Sequence, residues 1–295
     1  MSKAIVKPII DKILRPVLRP VKYIRYMNRI SMALSRAAAT SVLRQIDVSN
    51  PNSWEFSGLS QNGEDGIIDF LTRKLLMPNR YFIEIGAGDG MENNTSWLAI
   101  ARRYSGLMIE GNNKTYETLE YLIFPLHNGV ETIYLFVNKE NIQTIRERSL
   151  FLNPDVFSLD IDSNDYYVAE AVLESGIKPK IIVVEYNSAF GPDKSITIKF
   201  RTDFDSMHEQ SQLYYGCSIN GWRSLFSRFG YRFLTVETNG QNAFFVDPDA
   251  FDEKFVQPLK GLDFQENCYH LRKYRTSWEK QFELIKNTEL FEISG

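Results

Sequence analysis

Apolar and polar positions fall into blocks along this chain, and the spacing within each block predicts an element. Ile9, Ile10, Ile13, Leu14, Val17, Leu18, Val21 and Ile24 recur at helical spacing with basic residues between them. Pro8, Pro16 and Pro20 interrupt the first part, and Pro20 suits the first turn of a second helical piece. A polar linker follows at 47–60. From Gly63, the positions Ile67, Ile68, Phe70, Leu71 and Leu75 predict a helix that stops at Pro78-Asn79. Apolar runs of strand length then stand at 81–85, 106–110, 132–137, 156–161 and 180–186. The last contains Ile181-Ile182-Val183-Val184, a β-branched run suited to a strand buried on both faces. Helical patterns at 114–123, 141–150 and 166–174 alternate with these strands, which predicts an α/β fold with a parallel sheet. Two late strands at 231–237 and 242–247 flank Asn239-Gly240, a strong hairpin signal. Beyond residue 252 the chain is polar, with Leu271, Tyr274, Trp278 and Phe282 on one helical face. Packing of that stripe on the body is the first expectation, and dimerisation the alternative.

The strand at 81–85 runs into Gly86-Ala87-Gly88-Asp89-Gly90. Glycines there let backbone approach a ligand that a side chain would block. Asn93, Asn94, Thr95 and Ser96 are good N-caps for a helix through Trp97, Leu98 and Ala101. Strand, glycine turn and helix N-terminus together form an architecture that binds nucleotide-like cofactors. Glu110 ends the next strand, 20 residues after Gly90, where an acid accepts hydrogen bonds from ribose hydroxyls. The dinucleotide fingerprint needs a third glycine at position 91, which is Met91. NAD therefore stays only as an alternative cofactor.

The G-x-G-x-G spacing, with the acid Glu84 before its first glycine, resembles the class I S-adenosylmethionine methyltransferases. The closer resemblance is to FkbM-type methyltransferases. It rests on Ser60-Gln61-Asn62-Gly63-Glu64-Asp65-Gly66, on the turn at 82–90, on 106–111 and on Phe157-Ser158-Leu159-Asp160-Ile161-Asp162, and covers roughly 57–248. It implies a seven-stranded, mostly parallel Rossmann-like sheet closed by a late antiparallel hairpin. Together with the residue patterns at the two ends, it divides the chain into a basic arm (1–46), a methyltransferase domain (47–250) and a C-terminal helical extension (251–295). It implies S-adenosylmethionine as cofactor, contacted by Gln61, Glu84, Gly86, Ala87, Gly88, Asp89, Gly90, Glu110, Asn138 and Asp160. It also implies O-methylation of a saccharide or glycolipid hydroxyl.

Ligands of a parallel sheet bind outside the carboxyl ends of its strands. Asp160, Asp162, Ser163, Asn164 and Asp165 follow the fourth strand, and Glu185, Tyr186 and Asn187 follow the fifth. One reading is a Mg²⁺ site held by Asp160, Asp162, Glu185 and Asn187, since Mg²⁺ takes oxygen ligands. Metal-dependent O-methyltransferases resemble this pattern, but Tyr186 stands where they carry an acid or amide. A second reading is metal-free, with Asp160 or Asp162 touching cofactor or substrate. A third is turn capping alone. His208, in a segment between the fifth and sixth strands, is the candidate general base. The aromatic pair Tyr214-Tyr215 either stacks on a sugar or fills the core. His127 reads as surface and His270 as packing of the tail.

Charge changes this picture in one respect. Residues 1–44 carry ten Lys and Arg against a single acid, Asp11, a local +9, so the remainder carries −12 to reach the net −3. A basic amphipathic arm on an acidic body predicts contact with an anionic membrane surface. A packed helix, a transit peptide and a nucleic-acid arm are the alternatives. A nucleic-acid methyltransferase is the runner-up function, disfavoured by the acidic body, and a non-catalytic scaffold is the third. Two cysteines, Cys217 and Cys268, form no disulfide framework or zinc motif and fit a reducing compartment. No apolar run of membrane-spanning length exists, and Asp11, Lys12 and Arg15 interrupt any secretory signal. A cytoplasmic, peripherally membrane-associated protein is expected.

Overall fold

The computed structural model describes residues 44–123, 129–202, 204 and 211–293, with single positions between 31 and 42. Nearly all of the basic arm, and both His127 and His208, lie outside the described residues. The strands are β1 (Tyr81–Ile85), β2 (Ser105–Glu110), β3 (Val130–Tyr134), β4 (Val156–Leu159), β5 (Ile181–Glu185), β6 (Ile196–Ile198), β7 (Arg232–Val236), β8 (Asn242–Val246) and β9 (Leu290–Glu292). Seven of them form one sheet in the order β3-β2-β1-β4-β5-β8-β7. The pairs among β1 to β5 are parallel, and β8 lies antiparallel to both β5 and β7. This is the mostly parallel, Rossmann-like methyltransferase sheet with its late antiparallel hairpin.

The strands read as continuous apolar runs because both faces of the sheet are covered. Ile83, Ile85, Ile109, Leu159, Val184 and Phe245 face one core, with Ile142, Val168 and Trp222 from the helices Ile142–Arg148, Asp165–Glu174 and Ile219–Arg228. Their neighbours Phe82, Met108, Val156, Val183 and Phe244 face the other core, with Ile67, Leu98 and Leu119 from Glu64–Thr72, Ser96–Ala101 and Asn113–Ile123. The period of two therefore sorts side chains between two dry layers rather than between core and water. At the amino ends of the strands, buried Asp155 accepts from the Asn79 and Arg80 N–H groups and pairs with Lys180 Nζ at 2.7 Å, tying β1, β4 and β5 together.

β3 begins two residues earlier than its pattern predicts, because Val130 pairs with Gly106 at the sheet edge. Two short strands escape periodicity altogether: β6 and β9 pair antiparallel and roof a third core around Phe190, Phe204, Leu213 and Tyr214. The C-terminal aromatic stripe is not one helix. Arg275 adopts a left-handed conformation (φ 52°) that separates Cys268–Tyr274 from Trp278–Glu283. Tyr274 and Phe282 pack on the third core, while Trp278 lies against Gly191. Among the described residues no helix is long and apolar enough to cross a membrane.

Candidate functional site

The strand order reverses between β1 and β4, and crevices form at such switch points. Ile85 is in register with both Ile109 and Leu159, so Gly86, Glu110 and Asp160 emerge at one level. They line a cavity of about 430 Å³ together with Gly88, Phe136 and Asp162. Gly86 (φ +85°) has no room for a Cβ, which would lie 1.6 Å from the Asp160 carbonyl oxygen. Gly88 (φ +58°) is different: a Cβ there would meet no heavy atom within 4 Å, so it stands at an open cradle. Glu110 is held at the cavity wall because it accepts from the Gly88 N–H at 2.9 Å and the Asn112 N–H at 2.6 Å. Burial raises its carboxyl above the ordinary range.

Other expected contacts sit around this cavity rather than in its wall. Glu84 is buried beneath the turn and accepts from the Asn94 N–H and the Thr95 hydroxyl, so it braces the glycine loop from below. Burial pushes its carboxyl up to about 7. Thr95 is thereby diverted from capping its helix, and Asn93 accepts from the Ser96 N–H instead. Ala87 is fully buried, Gly90 N–H donates to the Ala87 carbonyl, and Asp89 accepts from the Met91 N–H. The Asn138 side-chain oxygen accepts from the Glu140 and Asn141 N–H groups and caps a turn. The wall at that level is instead formed by Leu135, Phe136 and Val137. Phe136 is 55% exposed, which a strand pattern running to residue 137 conceals.

Asp160, Asp162 and Glu185 place carboxylate oxygens within 4.8 Å of one another. None of the three pairs with a Lys or Arg among the described residues. Burial and the charges of their neighbours push the Asp160 and Glu185 carboxyls well above the ordinary range. Asp162 is held in the left-handed region, φ 51°, where a non-glycine residue is strained. Asp165 stays apart from the trio and accepts from the Ile161 and Ser163 N–H groups, which shapes the loop carrying Asp162. Asn187 is not a ligand candidate. Its oxygen accepts from the Ala189 N–H, and its amide donates to the Leu213 and Tyr215 carbonyls. It braces the segment bearing Tyr215.

A second cavity of about 590 Å³ opens on the far side of the trio. Asp162 and Glu185 line it, with Gln61, Tyr215, His270 and Arg272. Asp162 therefore borders both cavities. Gln61 belongs to this second cavity rather than to the first. Tyr215 both packs in the third core and faces this space, whereas the Tyr214 hydroxyl donates to the Glu289 carbonyl within the core. His270 is 5% exposed and sits among Tyr215, Tyr269 and Tyr274. Burial, and then the charge of Lys273, lowers its imidazole to about 4. Nothing in the tail's sequence pattern separates His270 from its packing neighbours.

No family model and no curated protein matches the sequence. Solved structures are similar to parts of this chain. One is an O-methyltransferase from Bacillus cereus in complex with S-adenosylhomocysteine (14% identity, TM-score 0.42, 74% of this chain and 89% of that one). Another is magnesium protoporphyrin IX methyltransferase from Synechocystis with bound S-adenosylmethionine (8%, 0.39, 62% and 77%). A third is a Podospora anserina methyltransferase bound to S-adenosylhomocysteine (14%, 0.39, 61% and 75%). These values are low, and the functional reading rests on the chain's own residues.

Proposed function

We propose that this chain is an S-adenosylmethionine-dependent O-methyltransferase whose acceptor hydroxyl enters through the second cavity. The observation that carries the reading is the position of Asp162, which borders both cavities beside Asp160 and Glu185. The first cavity suits the cofactor because Gly88 leaves an open cradle and Glu110 can exchange its backbone partners for ribose hydroxyls. Phe136 offers an apolar wall for a flat base. When bound, S-adenosylmethionine supplies an activated methyl group to a nucleophilic oxygen. The chain's task is then to orient that oxygen and accept its proton. A carboxylate of the trio is the acceptor of that proton, since Asp162 borders both cavities and stands beside Asp160, whose proton affinity burial raises.

Three carboxylates without a cationic partner among the described residues are also a donor set that suits a hard divalent cation. Asp160, Asp162 and Glu185 would hold Mg²⁺, which would lower the pKa of a bound hydroxyl. The carboxamides of Gln61, Asn62, Asn239, Gln241 and Asn267 around the second cavity favour a saccharide acceptor. The basic arm at 1–46 is proposed to hold the enzyme on an anionic leaflet carrying lipid-linked glycan. Deleting it should abolish pelleting with anionic liposomes while leaving cofactor affinity intact. Calorimetric titration with S-adenosylhomocysteine, with NAD as control and with or without Mg²⁺, tests the central reading. Binding of S-adenosylhomocysteine that disappears in Gly88→Trp supports it. No binding under any condition removes it.

A further inference from the structure

The second cavity carries charge of both signs. Its lining holds the acids Glu92, Asp162 and Glu185, and the bases Arg272 and Lys273 from Cys268–Tyr274. That helix is clamped over the end of β5. The Asn267 backbone N–H donates to Ser188 Oγ at 2.9 Å, and its side-chain oxygen accepts from the Tyr269 and His270 N–H groups. The two cations lack carboxylate partners among the described residues. Arg272 donates to the Cys268 carbonyl of its own helix. Among the described residues Lys273 donates to the neutral Gln212 side chain and lies over the rings of Tyr269 and Tyr274. Beside them, His270 is nineteen-twentieths buried and its Nδ1 has no hydrogen-bond partner. Buried polar atoms ordinarily find a partner, and His270, a residue of the cavity's lining, carries one that does not.

We propose that the second cavity recognises an acidic glycosyl unit, its carboxylate or phosphate held by Arg272 and Lys273 and one of its hydroxyls paired with His270 Nδ1. This deepens the methyltransferase reading and rests on it. With the acidic group drawn to the two cations, the hydroxyls are left toward Asp162 and Glu185 on the same cavity's wall, so the acceptor takes one orientation. A neutral sugar would leave both cations hydrated and would gain no such orientation. The hydroxyl that is methylated is then one remote from the acidic group.

The test is ligand-observed saturation-transfer NMR on the full chain with three probes: D-glucuronate, D-glucose 6-phosphate and D-glucose. Both anions should give contact signals, with glucose weaker by about tenfold, the equivalent of one charge-assisted contact. A response from only one anion also supports the proposal and identifies the group recognised. The double variant Arg272→Gln/Lys273→Gln should erase the preference, and His270→Phe should weaken all three probes. Both cations are exposed, so the double variant should keep the wild-type melting temperature. Equal response to glucose and the anions, no response to either anion, or a preference that survives the double variant overturns the proposal. S-adenosylhomocysteine titration on the same samples separates the two readings. Anion preference without cofactor binding removes methyl transfer alone, and cofactor binding without anion preference removes the acidic acceptor alone.

Discussion

Gly86 and Gly88 look alike in the sequence, two residues apart in one loop, yet the structure gives them opposite constraints. A Cβ at Gly86 collides with the chain's own backbone at Asp160, whereas one at Gly88 enters open space. Gly86→Ala should therefore cost about 3 kcal/mol or more, because the clash is with backbone that cannot rotate away. Gly88→Ala should cost only about 1 kcal/mol, the penalty of a side chain at positive φ. Urea unfolding of both variants measures the contrast, and equal losses would contradict it. Asp162 is strained in the opposite sense. Asparagine tolerates its left-handed backbone and removes one of three crowded charges. Asp162→Asn should melt no lower than the wild type while losing any rise in melting temperature produced by Mg²⁺. A fall of several degrees would show that the carboxylate supports the fold rather than the site. The glycine loop, Glu110 and the acids after β4 and β5 were readable from residue type and spacing. The fates of Glu84, Asn138 and Asn187 were not, because a sequence shows what a side chain can bond and not which nearby N–H group claims it first.

At the scale of elements, strands with two buried faces were the most legible, since residues 181–184 can be apolar throughout only between two helical layers. β6 and β9 were illegible for the converse reason. Three residues carry no period, and each strand exists only because the other is present. The C-terminal stripe was read on the right face but with false continuity, because Arg275 breaks the helix by conformation rather than by composition. Its N–H still donates to the Leu271 carbonyl, an αL ending that glycine adopts without strain. Arg275→Gly should therefore stabilise the protein by a few tenths to about 1 kcal/mol. Denaturant midpoints of the two proteins decide this, and a destabilised glycine variant would mean that the arginine side chain matters beyond its backbone.

Over the whole molecule, the site concentrates carboxyls that burial keeps partly protonated, and this sets how stability varies with pH. Burial raises Glu84 to about 7, and burial together with the charge of Glu64 raises Glu237 to about 8. Both would titrate near 4.5 in the unfolded chain. Between those limits the native state binds more protons than the unfolded state, so these groups make stability fall as pH rises. His270 acts in the opposite sense below pH 6.5, because its native imidazole stays neutral down to about 4 while the unfolded one takes up a proton. Of these two carboxyls, Glu237 carries its decline further, through the interval from pH 7 to 8. Glu237 also accepts from the Asn239 and Gln241 N–H groups, and so shapes the hairpin turn that borders the second cavity. Glutamine keeps an acceptor oxygen there without the charge. In urea titrations from pH 5 to 8.5, the slope of Glu237→Gln between pH 7 and 8 should be shallower than wild type by up to about 1.4 kcal/mol per pH unit, one proton's worth. Parallel curves would mean that the turn's donors hold Glu237 ionised throughout. The hairpin would then be fixed by charge-assisted bonds across the whole of that pH range.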